Sequence, residues 1–312
     1  MNKNKFLGLV GVLGAAFLGG AILPSLIRTG TAYLHPFIFN WLRVTTSTII
    51  LLILFGKKFH YTALLNQENL PLLIITGIGF GLNLTLFSVA INHTTLIASQ
   101  LIFVMVPVAT GFLAHLFVNE RITKQKIFGL LISLVGVLIL VVASKSPQER
   151  SSLGSFYGNS LIFIGMLGYS AYLTFSKKYN INKSVVEMLI LTNLALTIFC
   201  SPLALYALFF TSIHPYFSWP IFISVTGIII TSMAFIGLSQ LAIKKLPVST
   251  AAFSSLLSPE FAAFAGIIFY HEKLSPILIL SLVLAIYGVI ISTNMKRKNT
   301  IDWLKILLQI KN

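Results

Sequence analysis

Acidic side chains are scarce in this sequence, which has only seven Asp and Glu among 312 residues. Charged residues of both signs make up 9% of the chain, whereas soluble globular domains carry about 25%. The single cysteine, Cys200, excludes an intramolecular disulfide and a metal site built from several cysteines. Walker A, HExxH and GxSxG motifs are also missing, which excludes the common signatures of nucleotide hydrolases, zinc proteases and serine hydrolases.

Long apolar runs take the place of charge, and hydrophobic residues make up 56% of the chain. A membrane-spanning helix needs about 20 such residues, and runs of that length recur along the whole sequence. The first run exceeds the core of a signal peptide, which is about 7–15 residues long, so we interpret it as a retained helix. We predict spans near 6–27, 35–55, 71–91, 95–117, 125–143, 155–176, 185–209, 219–242, 247–270 and 275–294.

One segment of the chain occurs twice. Residues 106–121 read VPVATGFLAHLFVNER and residues 258–273 read SPEFAAFAGIIFYHEK, so that an offset of 152 aligns Pro107 with Pro259. A proline inside an apolar helix removes a backbone hydrogen bond and kinks the helix. Its recurrence at one register, followed each time by a glutamate and a base, indicates a duplication.

The duplication predicts the domain organisation. We predict a first repeat over residues 1–147, a second over 148–296 and a basic amphipathic tail over 297–312. Because each repeat has five predicted helices, an odd number, the second must enter the membrane upside down. The predicted fold is therefore an all-α integral membrane protein whose ten transmembrane helices form two inverted five-helix repeats. Inverted repeats of this kind are typical of secondary transporters.

Lysine and arginine predict the orientation. Of 22 such residues, 17 fall on one side of the predicted membrane and four on the other. The positive-inside rule then places both termini in the cytoplasm, in a multi-pass protein of the cytoplasmic (inner) membrane. The excess of 15 positive charges does not indicate nucleic-acid binding, because the bases lie in short gaps between apolar runs and no aromatics interleave with them.

Two charged residues fall well inside predicted spans, away from their ends. Glu260 is the one acid near the middle of an apolar helix, where a charge costs about 3 kcal/mol or more. It is either a proton-coupling or amine-binding group, or a protonated carboxyl bonded to a neighbouring helix. Arg43 is either a substrate or coupling residue or a structural clamp that binds backbone carbonyls or helix ends, and we favour the clamp. Counted from the outer ends of their helices, Arg43 and Glu260 lie at similar depths, roughly 12 and 15 Å. We therefore also hypothesise that they face one cavity and influence each other.

Uncharged polar and aromatic residues in the spans form a second set of candidate substrate or coupling residues. In each case a contact between helices competes with a role in ligand binding, and the sequence leaves both open. The set comprises Asn40, Trp41, Asn83, Ser88, Gln100, Tyr169, Tyr172, Asn193, Ser232, Gln240 and Ser258. Gly77, Gly79 and Gly81 indicate close helix packing. We expect the fifth and tenth helices to lie outside the cavity, because their interiors are nearly free of polar residues.

The pattern resembles the EamA branch of the drug/metabolite transporter superfamily over roughly residues 6–294. The residues that carry the resemblance are Pro36, Trp41 and Arg43 in the second helix, and the paired ends Asn119-Glu120-Arg121 and His271-Glu272-Lys273. It implies a fold of five plus five helices and the transport of amino acids, nucleosides, organic acids or drugs, often as export. The first helix departs from the resemblance, with Ala16-Phe17 where such proteins often have Trp-Gly.

We therefore predict a secondary transporter that moves a small polar metabolite, amino-acid-like or related, by alternating access. Its partners are the lipid bilayer and the solute, with no catalytic residue, cofactor, metal or nucleic acid. Two alternatives stay open: an intramembrane enzyme that uses Glu260 as acid or base, and a membrane subunit that transports nothing. The identity of the solute, the direction of transport, proton coupling and the oligomeric state are not determined by the sequence.

Overall fold

The computed structural model describes residues 3–58, 69–118, 124–146, 150–179, 183–211, 218–245 and 254–292. All regular elements in these ranges are helical. The α-helices are α1 (Lys3–Phe17), α2 (Leu23–Thr31), α3 (Pro36–Phe55), α4 (Leu70–Ile75), α5 (Gly81–Ala90), α6 (Leu96–Phe103), α7 (Val106–Val118), α8 (Lys124–Ala143), α9 (Arg150–Leu153), α10 (Phe156–Tyr179), α11 (Val185–Phe210), α12 (Trp219–Lys245), α13 (Ser254–Tyr270) and α14 (Pro276–Ser292). The predicted tail 297–312 and Glu120 lie outside the described residues.

Three pairs of these helices join end to end into longer rods. A π-helical turn over Leu18–Ile22 joins α1 to α2, and another over Thr76–Phe80 joins α4 to α5. The break between α6 and α7 falls at 104–105, just before Pro107, which has no N–H to continue the ladder. The repeated proline, Pro259, lies within α13.

Six helical stretches in the described ranges are long and apolar enough to cross a membrane. They are Phe6–Thr31, Pro36–Phe55, Leu70–His93, Leu96–Phe117, Val185–Phe210 and Trp219–Lys245. Helices α8, α13 and α14 contain shorter apolar stretches. The chain is therefore a multi-pass, all-helical membrane protein, and the count of ten spans stays a prediction.

The two halves of the chain interdigitate. The α1/α2 rod packs against α12 and α13 of the second half, and α10 packs in the same way against the α4/α5 and α6/α7 rods of the first. Helix α3 packs against α11, and α6 packs against α13. In each pair, one helix precedes residue 148 and the other follows it, so the core lies between the halves.

The contact between α8 and α14 shows how the repeats are related. A Cβ atom added to Gly136 would lie 2.8 Å from both Ala285 N and Ser281 O, and one added to Gly288 would collide with Ser133 and with the backbone of Gly129. Residues 281, 285 and 288 follow 129, 133 and 136 by the offset of 152. The contacts are thus reciprocal and antiparallel, as a local two-fold axis requires.

Glycines also allow the halves to approach elsewhere. A Cβ atom on Gly79 would lie 2.8 Å from the carbonyl oxygen of Gly168 in α10, and one on Gly81 would enter the ring of Phe199 in α11. The interpretation of the glycines near 77–81 as a close-packing device is confirmed.

The bundle has two chemically different ends. At one end, which we call the Glu272 end, Asn92 donates to Thr31 at 2.9 Å, and Glu272 accepts from Arg28. At the opposite end, which we call the Lys177 end, Lys177 donates to the Ile243 carbonyl at 2.9 Å. Lysines 178, 183, 244 and 245 lie at that same end.

Candidate functional site

A cavity lies between the two halves; we call it the central cavity. Its empty volume is about 740 Å³, including the part open to its surroundings. Its polar lining consists of Arg43, Asn83, Gln100, Tyr169, Ser232 and Ser258. These residues come from α3, α5, α6, α10, α12 and α13, so both repeats contribute. Among the side chains that the structure describes, none from α8 or α14 lines the cavity, as expected for helices at the periphery, and none from α11 does.

Arg43 is the charged residue of this lining. Its side chain is only 6% exposed, and its Nε and Nη1 atoms are buried without a hydrogen-bond partner. A clamp to backbone carbonyls through Nε or Nη1 is therefore not formed, and the role of Arg43 stays a prediction. Among the acids of the described ranges, Glu187, Glu260 and Glu272, none lines the cavity. The positive charge therefore has no counter-charge from the described part of the chain.

Two neutral groups in the cavity share this lack of a partner. The Nδ2 atom of Asn83 and the Oγ atom of Ser232 are buried and make no hydrogen bond within the structure. An unsatisfied buried polar group costs about 1–3 kcal/mol, and nearly all such groups in folded proteins have a partner. Asn83 belongs to the first repeat and Ser232 to the second, so unsatisfied donors approach the cavity from both.

An aromatic wall forms part of the apolar lining of the cavity. The ring of Tyr169 lies 5.3 Å from that of Phe80 and 6.0 Å from that of Phe103, and Phe87 meets Phe103 edge-on at 6.0 Å. Phe235 from α12 lines the cavity as well. A wall of this kind offers apolar surface to the body of a solute while the polar groups orient it.

Six of the eleven uncharged candidate residues do not line the cavity. Among these six, Asn40, Trp41, Asn193 and Gln240 are bonded within the helix bundle instead. The side chain of Asn40 donates to the Leu84 carbonyl at 3.2 Å and accepts from Ser88 at 3.0 Å. Trp41 Nε1 donates to Ser201 Oγ at 3.1 Å, which ties α3 to α11. Asn193 donates to the Leu189 carbonyl of its own helix at 2.9 Å. Gln240 donates to the Tyr172 hydroxyl at 2.7 Å.

Tyr172 lies three residues beyond Tyr169 on α10, towards the Lys177 end. Its ring stacks on Phe80 at 4.6 Å, and its hydroxyl lies 3.4 Å from that of Thr192. Because Phe80 itself lines the cavity, the stacked pair stabilises the aromatic wall from behind. Tyr172 and Gln240 therefore support the cavity rather than line it.

Glu260 does not lie with Arg43. It is exposed on α13, on one stripe with Phe264 and Ile267, which are 64% and 43% exposed. Ser258, which does line the cavity, is two positions earlier and hence about 160° away around the helix. The prediction that Arg43 and Glu260 face one cavity is wrong in this structure: their depths were estimated from the sequence, but the rotation of α13 was not.

At the Glu272 end, a buried carboxylate joins three helices. Glu272 is 8% exposed and accepts from Arg28 at 2.9 Å, from Leu96 N at 2.7 Å and from Ile97 N at 3.1 Å. Arg28 also lies 4.6 Å above the ring of Tyr270. We call these five residues the Glu272 cluster. The carboxylate sits at the N-terminus of α6, where the unpaired N–H groups and the helix dipole favour an anion.

The local backbone explains how Glu272 reaches this position. His271 has a φ of 52°, which turns the chain back at the end of α13. Gly266 leaves room for the carboxylate, since a Cβ atom there would lie 2.5 Å from Glu272 Oε2. Gln100 lines the cavity one turn further along α6, so the cluster lies at the Glu272 end of the cavity. The sequence places Glu272 at the end of a span beside a base but did not identify Arg28, 244 positions away, as its partner.

The described residues contain no group of three His, Cys, Asp or Glu side chains suited to hold a metal ion.

Comparison with known families gives a match over nearly the whole chain. The model of the EamA-like transporter family matches residues 6–142 and 156–294. An uncharacterized transporter of Bacillus subtilis strain 168, YvbV, is 24% identical over 284 residues, which cover 85% of this chain and 84% of that protein.

Two other relatives match shorter segments. The uncharacterized transporter YyaM of the same bacterium is 25% identical over 140 residues, 45% of each chain. The thiamine-repressible mitochondrial transport protein THI74 of Saccharomyces cerevisiae is 36% identical over 89 residues, 28% of this chain and 24% of that protein. The matched segments thus span less than half the length of these two relatives.

A solved crystal structure shares the fold. It superimposes with a TM-score of 0.63 over 94% of this chain and 98% of the other, at 16% sequence identity.

Proposed function

This chain belongs to the EamA-like transporter family, and on that premise we propose that it is a secondary transporter that moves a small solute across the cytoplasmic membrane. The observation that supports this best is the central cavity: both repeats line it, and it holds buried polar groups that the protein leaves unpaired. Such groups are suited to bind a solute that leaves its hydration shell.

We propose alternating access as the mechanism. The reciprocal contact of α8 and α14 favours two halves related by an axis in the membrane plane. Two such halves can rock around a shared site and expose it to either face in turn. In this proposal the chain has ten spans, and the domains are 1–147 and 148–296.

The proposed orientation follows the lysines. The Lys177 end lies at the cytoplasm and the Glu272 end outside, in accordance with the positive-inside rule. Single cysteines introduced at Tyr33, near the Glu272 end, and at Lys183, near the Lys177 end, test this in intact cells, in a Cys200→Ser background. A membrane-impermeant maleimide should label the first and spare the second; the reverse pattern would contradict the orientation.

We further propose that the Glu272 cluster is the outer barrier of the cavity. The carboxylate joins α13 of the second repeat to α2 and α6 of the first. Separation of α13 from α6 would remove this contact and open the cavity from outside. Export of a metabolite then corresponds to loading from the Lys177 end and release at the Glu272 end.

Proton coupling through Glu260 remains a separate part of the proposal. A carboxyl on an apolar stripe is favoured in its protonated form within a bilayer, and Glu260 follows the cavity-lining Ser258 and the proline within α13, Pro259. If this carboxyl binds the coupling proton, Glu260→Gln abolishes the pH dependence of transport and leaves the protein folded. If the variant transports with the same pH dependence as the unaltered protein, Glu260 is excluded as the coupling group.

The alternative of an intramembrane enzyme requires the carboxyl of Glu260 to meet a substrate in the cavity. It lies instead on the exposed face of α13, so nothing in the site favours that alternative over transport.

Transport is tested with the purified full-length protein in proteoliposomes. A panel of radiolabelled amino acids, organic acids and nucleosides is offered outside, with the same unlabelled solute inside and protein-free liposomes as the control. We expect saturable, counterflow-accelerated uptake of at least one class. Recovery of a chemically altered solute would indicate an enzyme, and binding without uptake would indicate a subunit that does not transport.

A further inference from the structure

The charge of the central cavity points to a class of solute. Arg43 is the charged side chain among its described lining residues. We propose that the solute is an organic anion, in which a carboxylate or another anionic oxygen group binds Arg43 and an apolar, preferably aromatic body lies against the aromatic wall. This inference rests on the proposed transport function and specifies its substrate.

The first argument is the state of the guanidinium. An arginine side chain keeps its charge even when it is buried, so Arg43 cannot avoid the cost of burial by losing a proton. Its Nε and Nη1 atoms have no partner. A bound anionic oxygen group supplies an acceptor and the counter-charge, and a planar carboxylate matches one edge of the guanidinium in a bidentate arrangement.

The second argument is the position of the neutral donors. Asn83 Nδ2 and Ser232 Oγ are likewise buried without partners, and both residues line the same cavity as Arg43. An anion accepts hydrogen bonds from all three, whereas an ammonium group can accept none. Since Ser232 belongs to the second repeat, an anion bound by all three would also bridge the halves.

The third argument concerns what the cavity does not offer. Its described lining contains no acidic side chain, so a positive group on the solute finds no counter-charge there. A zwitterionic amino acid would place its ammonium near Arg43, which repels it. The order of affinity expected for one carbon skeleton is therefore organic anion first, then neutral alcohol or zwitterion, and cationic amine last.

Four probes that carry a phenyl ring on a two- or three-carbon chain separate these cases. They are 3-phenylpropionate, 3-phenyl-1-propanol, phenylalanine and phenethylamine. Affinities are measured by isothermal titration calorimetry on the full-length protein in detergent at neutral pH. We expect the acid to bind at least about tenfold more tightly than the alcohol, which corresponds to one bidentate charged contact. Equal or tighter binding of the amine or the alcohol overturns the proposal, as does the absence of acid binding up to millimolar concentration.

Variants assign the effect to Arg43. Arg43→Met should remove the preference for the acid over the alcohol, and Arg43→Lys should restore part of it, because charge is kept and the planar fork is lost. Lys178→Gln is the matched control, since it removes an exposed positive charge at the Lys177 end and should leave the preference unchanged. Should Arg43→Met fail to fold, the comparison of the four probes on the unaltered protein still decides the matter.

The two proposals fail in different ways. If the acid binds with the expected preference but never crosses the proteoliposome membrane, the solute class stands and the transport function fails. If amines or neutral solutes are transported and the acid is neither bound nor transported, transport stands and the anion inference is wrong.

Discussion

Two charged side chains, Glu272 and Arg43, are buried to nearly the same extent, at 8% and 6% exposure, yet their surroundings differ. Glu272 accepts three hydrogen bonds, from Arg28, Leu96 and Ile97. Arg43 leaves Nε and Nη1 without partners. A buried charge whose bonds are all supplied by the protein belongs to the fold. A buried charge that the protein leaves unpaired indicates a site that something else completes.

Position along the helices explains the difference. The carboxylate of Glu272 contacts the N-terminus of α6, where the first N–H groups of the helix have no partner within the helix. Arg43 lies within α3, where the backbone groups of the surrounding helices already bond to one another. A side chain in the interior of a helix bundle therefore finds partners only among other polar side chains, and the described lining of the cavity offers Arg43 no carboxylate.

The largest effect is expected when the satisfied charge is removed. Glu272→Ala leaves Arg28 and two N–H groups of α6 without their acceptor. We expect a loss of about 2–3 kcal/mol in the free energy of unfolding, less than for a fully buried pair because Arg28 keeps contact with solvent. Thermal unfolding can be followed with a thiol-reactive dye, since the thiol of Cys200 is buried in the folded state.

Glu187→Ala is the control for this variant, because it removes an acid at the start of α11 that forms no ion pair with any other described residue. Its effect should not exceed about 1 kcal/mol, the usual value of an acid near a helix N-terminus. Equal losses in the two variants would show that the Glu272 cluster contributes no specific stability.

Removal of the unpaired charge should act in the opposite way. Arg43→Met replaces a buried, partly unsatisfied guanidinium by an apolar side chain. The free energy of unfolding of the ligand-free protein should therefore stay constant or rise by as much as about 1–4 kcal/mol, and its unfolding temperature should not fall. The stabilisation by added 3-phenylpropionate should disappear. Both are read from one melting series with and without the acid. A strongly destabilised ligand-free variant would restore the clamp interpretation of Arg43.

Two asparagines repeat the comparison without charge. Asn40 has two side-chain hydrogen bonds, to Leu84 O and from Ser88, whereas Asn83 Nδ2 has none. Asn40→Leu should cost about 1–3 kcal/mol, because it leaves a buried carbonyl and a hydroxyl unpaired. Asn83→Leu should leave the stability nearly unchanged and lower the affinity for the acid. If the two variants melt alike and bind alike, hydrogen-bond satisfaction does not separate fold from site.

The sequence predicted the architecture better than the site. The repeated prolines gave an offset of 152, and the reciprocal contacts of Gly136 and Gly288 follow that offset in space. The depth of a residue along a span follows from counting, because the helical rise is constant. The rotation of a span does not, since a helix that is apolar all round has no amphipathic face to indicate which side is inside. Asn40 and Asn83 therefore look alike in the sequence.

The sequence also does not predict which residues that are far apart along the chain contact each other. Arg28 and Glu272 are 244 positions apart. Other acids lie closer to Arg28 along the chain, and other bases lie closer to Glu272. Only the interdigitation of the repeats brings the end of α2 next to the end of α13. The same interdigitation places Ser232 near Asn83 in the cavity, although neither residue stands out from the other hydroxyls and amides of the spans.

The smallest effect is expected at a third acid, Glu260, which is neither satisfied nor enclosed. It lies on an exposed stripe with Phe264 and Ile267, and no hydrogen bond or ion pair is formed by its carboxyl within the described residues. Glu260→Gln removes no contact, so the free energy of unfolding should change by no more than about 0.5 kcal/mol. The preference for 3-phenylpropionate over the alcohol should also stay constant, because the residue does not line the cavity. Any effect should therefore be confined to the pH dependence of transport. A shift in the ligand preference would show that Glu260 turns towards Arg43 in another state of the transport cycle, and that the rotation of α13 changes as the cavity opens.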